Sequence, residues 1–156
     1  MKRLTLSKQN FIAISAVLMV ACTSTQKVQN ESPVGIVTYN QYAVKAPAGT
    51  DTSFYVITNQ EAFDAAFITS DSDQLPKPGF SGQTVVVIAA PRNGAVKIER
   101  ATINGKTMRV YAATCNREAA DCPKNGLALV TTPKSGSVRN VQFFINGVNN
   151  RSIDIK

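Results

Sequence analysis

The sequence predicts a mainly β domain of the α+β class: a single antiparallel sandwich or barrel-like unit with one helix near its start, around residues 59–68. Three observations predict it. Apolar and charged residues alternate with period two through much of 96–112. Asn-Gly pairs recur at 93–94, 104–105, 125–126 and 146–147, as hairpin turns require. One stretch, beginning at Thr58, has helical spacing behind a capping signature.

The first 22 residues read as three zones. Lys2, Arg3 and Lys8 form a basic start, and Phe11 to Val20 is an uncharged apolar run. That run is too short for the roughly 20 residues that span a bilayer, and it fits a secretory signal peptide. Met19-Val20-Ala21-Cys22 resembles the bacterial lipobox, with Met19 where Leu is usual. The resemblance implies a signal peptide over 1–21, cleavage before Cys22, and acylation of Cys22 with palmitate-type chains. An ordinary signal peptide with an incidental cysteine is the competing reading. Thr23 rather than Asp after the cysteine points to the outer membrane, facing the periplasm or the cell surface.

Residues 22–33 are polar, lack apolar periodicity and read as a tether, about 30–40 Å long if extended. The remaining 34–156 is enough for one globular β-rich domain. The formal charge of the 156-residue chain is +7. Loss of Lys2, Arg3 and Lys8 with the signal leaves 14 basic and 10 acidic residues. A balance this mild, without a dense Lys/Arg run, argues against a nucleic-acid partner.

Within the domain, Val34 to Val44 and Ser53 to Ile57 read as strands separated by the turn chemistry of 45–51. Thr58-Asn59-Gln60-Glu61 has capping-box spacing, and Ala62, Phe63, Ala66 and Phe67 fall on one helical face. A loop rich in Asp, Pro and Gly follows from Ser70 to Gly82. Thr84 to Ala90 is continuously apolar and reads as a central strand buried on both faces. A hairpin follows, its preferred register set by a three-residue loop, Ile103-Asn104-Gly105, with Gly105 left-handed. This register sets Glu99 opposite Arg109 and Lys97 opposite Tyr111. Further strands are expected at Leu127 to Thr131, Val138 to Ile145 and Arg151 to Ile155.

The three cysteines sort by chemistry. With Cys22 assigned to lipid, Cys115 and Cys122 remain as a pair around a short polar stretch. In an oxidising compartment such a pair forms a disulfide. The chain has no His, so zinc sites and the usual Ser or Cys triads lack their ligand or base. A Ser/Lys dyad is formally available at Ser24 with Lys27, or at Lys134-Ser135. The first falls in the tether and the second reads as a turn. Asp71 and Asp73 lack the Gly and distal Glu of a calcium loop. The expectation is a non-enzyme with no cofactor and no metal.

The exposed stripe expected at Lys97, Glu99, Arg109 and Tyr111 is the candidate partner-binding surface, because Arg and Tyr are enriched in interfaces. Its competing reading is a solvated sheet face held by cross-strand pairs. The disulfide loop, with Arg117 and Lys124 beside Glu118 and Asp121, is a second candidate.

Three features carry a family resemblance. The first is the strand and capped helix from Phe54 to Phe63. The second is the buried strand entering a turn at Asn93-Gly94-Ala95, Val85 to Ile98, where the family has a Gly-Gly-Tyr-like turn. The third is the segment from Thr132 through Phe143. Together they resemble the C-terminal domain of PrcB-type protease-complex lipoproteins. The resemblance implies a non-catalytic accessory subunit that binds and supports an envelope protease. The expected function is therefore a lipid-anchored protein-binding module, with another envelope protein as partner. The alternative is a binder of anionic envelope polymer or lipid headgroups.

Overall fold

The computed structural model describes residues 31–39, 42–45, 49–69 and 77–155. The signal peptide, the Cys22 lipidation site, most of the tether, and Asp71 and Asp73 lie outside the described residues.

Eleven strands and one helix are described. They are β1 (Ser32–Val34), β2 (Val37–Tyr39), β3 (Tyr42–Val44), β4 (Ser53–Ile57), α1 (Gln60–Ala66) and β5 (Phe67–Thr69). These are followed by β6 (Gln83–Ala89), β7 (Val96–Asn104), β8 (Thr107–Thr114), β9 (Leu127–Pro133), β10 (Asn140–Ile145) and β11 (Val148–Asp154). A five-stranded sheet runs β1-β7-β8-β10-β11, a four-stranded sheet runs β2-β9-β6-β4, and β3 pairs with β5. The mainly β, sandwich-like architecture expected from the sequence is what forms.

Two apolar layers explain the long apolar run at β6. Val86 and Ile88 face the five-stranded sheet, where they join Met108, Val110, Val141 and Phe143. Val85, Val87 and Ala89 face the opposite way, into a cluster with Tyr42, Phe63, Phe67 and Leu129. A strand covered on both sides has no solvent face, so its alternation disappears although its neighbours are antiparallel. Phe63 and Phe67 both enter this second cluster, as expected, but Phe67 does so from β5 and not from the helix. Phe63 meets Tyr42 edge-on at 5.0 Å between ring centroids.

The N-terminal strand expected over 34–44 is three short strands, one in each sheet. Gly35-Ile36 carries the chain from the edge of the five-stranded sheet to the edge of the four-stranded one. The last residues read as tether, Ser32 and Pro33, belong to β1 and pair with Ile103 and Thr102.

The helix is capped by Asn59, not Thr58: Asn59 Oδ1 accepts from the Ala62 amide at 2.8 Å. It ends at Ala66 because Phe67 turns extended and begins β5, which pairs with β3.

The hairpin register also differs from expectation. Asn104 pairs with Thr107 across a two-residue Gly105-Lys106 loop, with Gly105 left-handed at φ 59°. A bulge between Ile98 and Arg100 then shifts the register. Arg100 therefore opposes Tyr111, Thr102 opposes Arg109 and Lys97 opposes Ala113. The bulge keeps Val96, Ile98, Ala101 and Ile103 on the core side despite the odd spacing between Ile98 and Ala101.

One pairing departs from the antiparallel rule. β10 runs parallel to β8, because the chain crosses to the other sheet as β9 before returning. β10 then turns into β11 through Asn146 and Gly147, both with positive φ, the Asn-Gly hairpin read from the sequence. β11 is longer than the expected 151–155.

Candidate partner-binding face

Strand register fixes what the outer face of the five-stranded sheet carries. Met108, Val110, Val141 and Phe143 point to the core, so their neighbours point out. One rung across the outer face is Pro33, Thr102, Arg109, Gln142 and Ser152. The next is Arg100, Tyr111, Phe144 and Asn149.

The second rung is a stacked row. The Arg100 guanidinium carbon lies 3.7 Å from the Tyr111 ring centroid. Tyr111 stacks on Phe144 at 5.2 Å with an interplanar angle of 22°. Because β8 lies between β7 and β10, Arg100 and Phe144 take opposite faces of the tyrosine ring. Both faces of Tyr111 are thus covered, and cation–π attraction holds the guanidinium over the ring while its side chain stays 58% exposed.

Beside this row, one carboxylate gathers the polar groups of two strands. Glu31, immediately before β1, accepts from Arg109 Nη1 at Oε1. Thr102 Oγ1 donates to Glu31 Oε2 at 3.0 Å, and the Tyr111 hydroxyl reaches both oxygens at 3.4–3.5 Å. Arg100 Nη1 stands 4.0 Å from Oε2. Burial alone would raise the Glu31 pKa. Hydrogen bonds from Arg109 and Thr102, with the charge of Arg109, outweigh that and hold it below the usual carboxylate range.

The four residues singled out from the sequence thus divide. Arg109 and Tyr111 are together on this face. Lys97 takes the next outward rung but pairs with Asp121 of the disulfide loop at 2.5 Å. That pair raises the lysine pKa and lowers the aspartate's. Glu99 sits at the bulge and, with Lys97 and Asp121, lines a cleft of about 360 Å³ floored by Ile98, Ala128 and Val130. It does not oppose Arg109. Sequence reasoning missed Glu31, Arg100, Thr102, Gln142 and Phe144. The signal for Arg100 was the break in apolar phase between Ile98 and Ala101. The signal for Phe144 was its adjacency to Phe143, since neighbouring strand residues face opposite ways.

The second candidate surface is more committed. Cys115 and Cys122 form the expected disulfide. Arg117 donates through Nε to Gly94 O at 3.0 Å and through Nη2 to Arg92 O at 2.8 Å. Lys124 Nζ donates to the carbonyls of Arg117 and Ala119 at 2.6 and 2.9 Å. Arg117 braces the loop against the turn after β6, and Lys124 ties the loop's own carbonyls together. At the expected turn near Pro133, Ser135 Oγ bonds Ser137 Oγ at 2.9 Å, while Lys134 Nζ is directed to Phe80 O at 3.5 Å.

No protein-family model, curated protein or solved structure matches the chain.

Proposed function

We propose that this chain is a non-catalytic, membrane-tethered protein-binding module whose contact surface is the outer face of the five-stranded sheet. The observation that carries the reading is the Arg100–Tyr111–Phe144 row. Arg, Tyr and Phe are the residue types that concentrate at protein interfaces. A row braced from both sides presents ring edges and a guanidinium at little entropic cost on binding. The stacking also disfavours a sugar polymer, which needs an open ring face that Tyr111 does not offer. The anionic-polymer reading loses further weight because Arg100 and Arg109 do not line up as the extended row of cations that a polyanion tracks. The lipid anchor at Cys22 and the outer-membrane location remain part of the proposal, as does an envelope protease as the partner, which rests on the family resemblance.

The test places a photo-crosslinking amino acid at Gln142 on this face and, in a control chain, at Ile68, which is 48% exposed on β5. Both full-length chains are crosslinked in the native envelope and the products are identified by mass spectrometry. One dominant protein captured from Gln142 and not from Ile68 supports the reading. Identical products, or none from Gln142, would overturn it.

A further inference from the structure

We infer that Thr102, Arg109 and Tyr111, with Arg100 at the rim, form a carboxylate socket that Glu31 fills in cis and an acidic side chain of a partner protein fills in trans. The inference rests on the protein-binding reading of this face and names the chemistry of the partner.

The socket belongs to the sheet, not to Glu31. Its donors come from β7 and β8, whose inward sides are anchored by Ala101, Met108 and Val110. Thr102 is 5% exposed. Arg100 is positioned by Tyr111, and Tyr111 by Phe144, so these groups keep their places whichever carboxylate is bound.

The occupant is held differently. Glu31 precedes a three-residue edge strand whose Ser32 and Pro33 are exposed, and Pro33 brings no backbone donor. Segments with few buried contacts open at low cost, so the exposed start of this edge can release Glu31 while Val34 stays packed against the core. A second carboxylate in the socket restores the charge-assisted hydrogen bonds from Arg109 and Thr102 that Glu31 gives up. The group that exchanges best with Glu31 is therefore another carboxylate.

The surroundings select an acidic polypeptide. The socket takes a single carboxylate and adjoins the apolar edges of the Tyr111–Phe144 pair, which suits an acidic residue flanked by aromatic or aliphatic ones. Arg100 and Arg109 do not make the extended row of cations that a polyanion would track.

The test uses full-length chain in detergent micelles, with NMR of the Arg100 and Arg109 guanidinium protons and of the Met108 methyl as a core control. The probes are the capped tripeptide acetyl-Phe-Glu-Phe-amide, its Gln counterpart, and polygalacturonate as a carboxylate polymer. A tethered competitor lowers apparent affinity by the fraction of time it occupies the site. Glu31→Gln should therefore bind the Glu tripeptide about tenfold more tightly than the native chain. Neither chain should respond to the Gln tripeptide, and adding Arg109→Gln should abolish binding.

Equal affinity in native and Glu31→Gln chains, or a response to polygalacturonate alone, would overturn the socket. Should Glu31→Gln lose its Met108 signal, the native chain decides: its arginine signals must move with the Glu tripeptide and not with the Gln one. Crosslinking from Gln142 in a chain that ignores the tripeptide would discard the socket and keep the protein-binding reading. Tripeptide binding without any crosslink would do the reverse.

Discussion

The carboxylate of Glu31 pairs with the guanidinium of Arg109 across 78 positions of sequence, fastening the segment before β1 to the middle of the five-stranded sheet. Both side chains are 23% exposed, so the pair is neither a screened surface contact nor a fully desolvated one. Its contribution to stability has a defined pH dependence. The folded-state pKa of Glu31 lies below its ordinary value of 4.5, so the unfolded chain takes up the proton first as pH falls. The stabilisation is present above about pH 4.5 and is lost as pH drops through the folded-state value. Urea melts of native and Glu31→Gln chains should differ by about 1 kcal/mol at pH 7 and converge at acid pH. A difference that stays constant down to pH 2 would show that the carboxylate charge is not what stabilises.

Phe143 and Phe144 are adjacent in sequence and opposite in role. Phe143 is fully buried and packs against Phe54 at 5.1 Å between centroids. Phe144 stacks on Tyr111 on the outer face. Phe143→Ala should cost about 3–5 kcal/mol, and Phe144→Ala about 1 kcal/mol or less. Chemical denaturation gives both numbers. Partner capture from Gln142 should follow the opposite order, with Phe144→Ala abolishing it at nearly native stability.

What could be read from the sequence was local. The apolar run of β6, the Asn146-Gly147 turn, the left-handed Gly105 and the disulfide each depend on residues close in the chain. The register of β7 against β8 departs from the plain period-two pattern because a bulge lies between Ile98 and Arg100. Its trace is present, however, in the odd step from Ile98 to Ala101. The parallel pairing of β10 with β8 has no local trace, since it depends on β9 joining the other sheet. Glu31 was the least legible. A lone carboxylate in a polar stretch carries no pattern, and its partners Thr102, Arg109 and Tyr111 lie 71 to 80 residues away. Arg109 and Tyr111 are legible through the period-two alternation of β8, but the site they belong to is a product of topology.

Gly126 is required by two constraints at once. Its φ is +72°, and a Cβ there would lie 2.9 Å from Arg117 Nη2 and 3.1 Å from Gly94 O. Gly126→Ala therefore strains the backbone and displaces a guanidinium from its carbonyls. The expected loss is about 2–4 kcal/mol. Gly136 has neither constraint, with nothing within 4 Å of its added Cβ, and Gly136→Ala should stay within about 0.5 kcal/mol of native. Thermal melts of the two variants separate a conformational requirement from a general intolerance of alanine.

The disulfide loop is held by two devices that act on the same segment. The Cys115–Cys122 bond closes a loop with a sequence separation of 7, for which chain entropy gives about 2.5 kcal/mol. Arg117, within that loop, ties it to Gly94 and Arg92. With the bond in place, Arg117→Met loses hydrogen bonds from a loop that is already confined. Without it, Arg117 is what keeps the loop against the turn. The two losses should therefore not add. A cycle of Cys115→Ser/Cys122→Ser, Arg117→Met and their combination should show a coupling of at least about 0.5 kcal/mol in urea denaturation. The combined variant should be less stable than the sum of the separate losses. Strict additivity would mean that the Arg117 contacts stabilise the β6–β7 turn on their own account, independently of how the loop is closed.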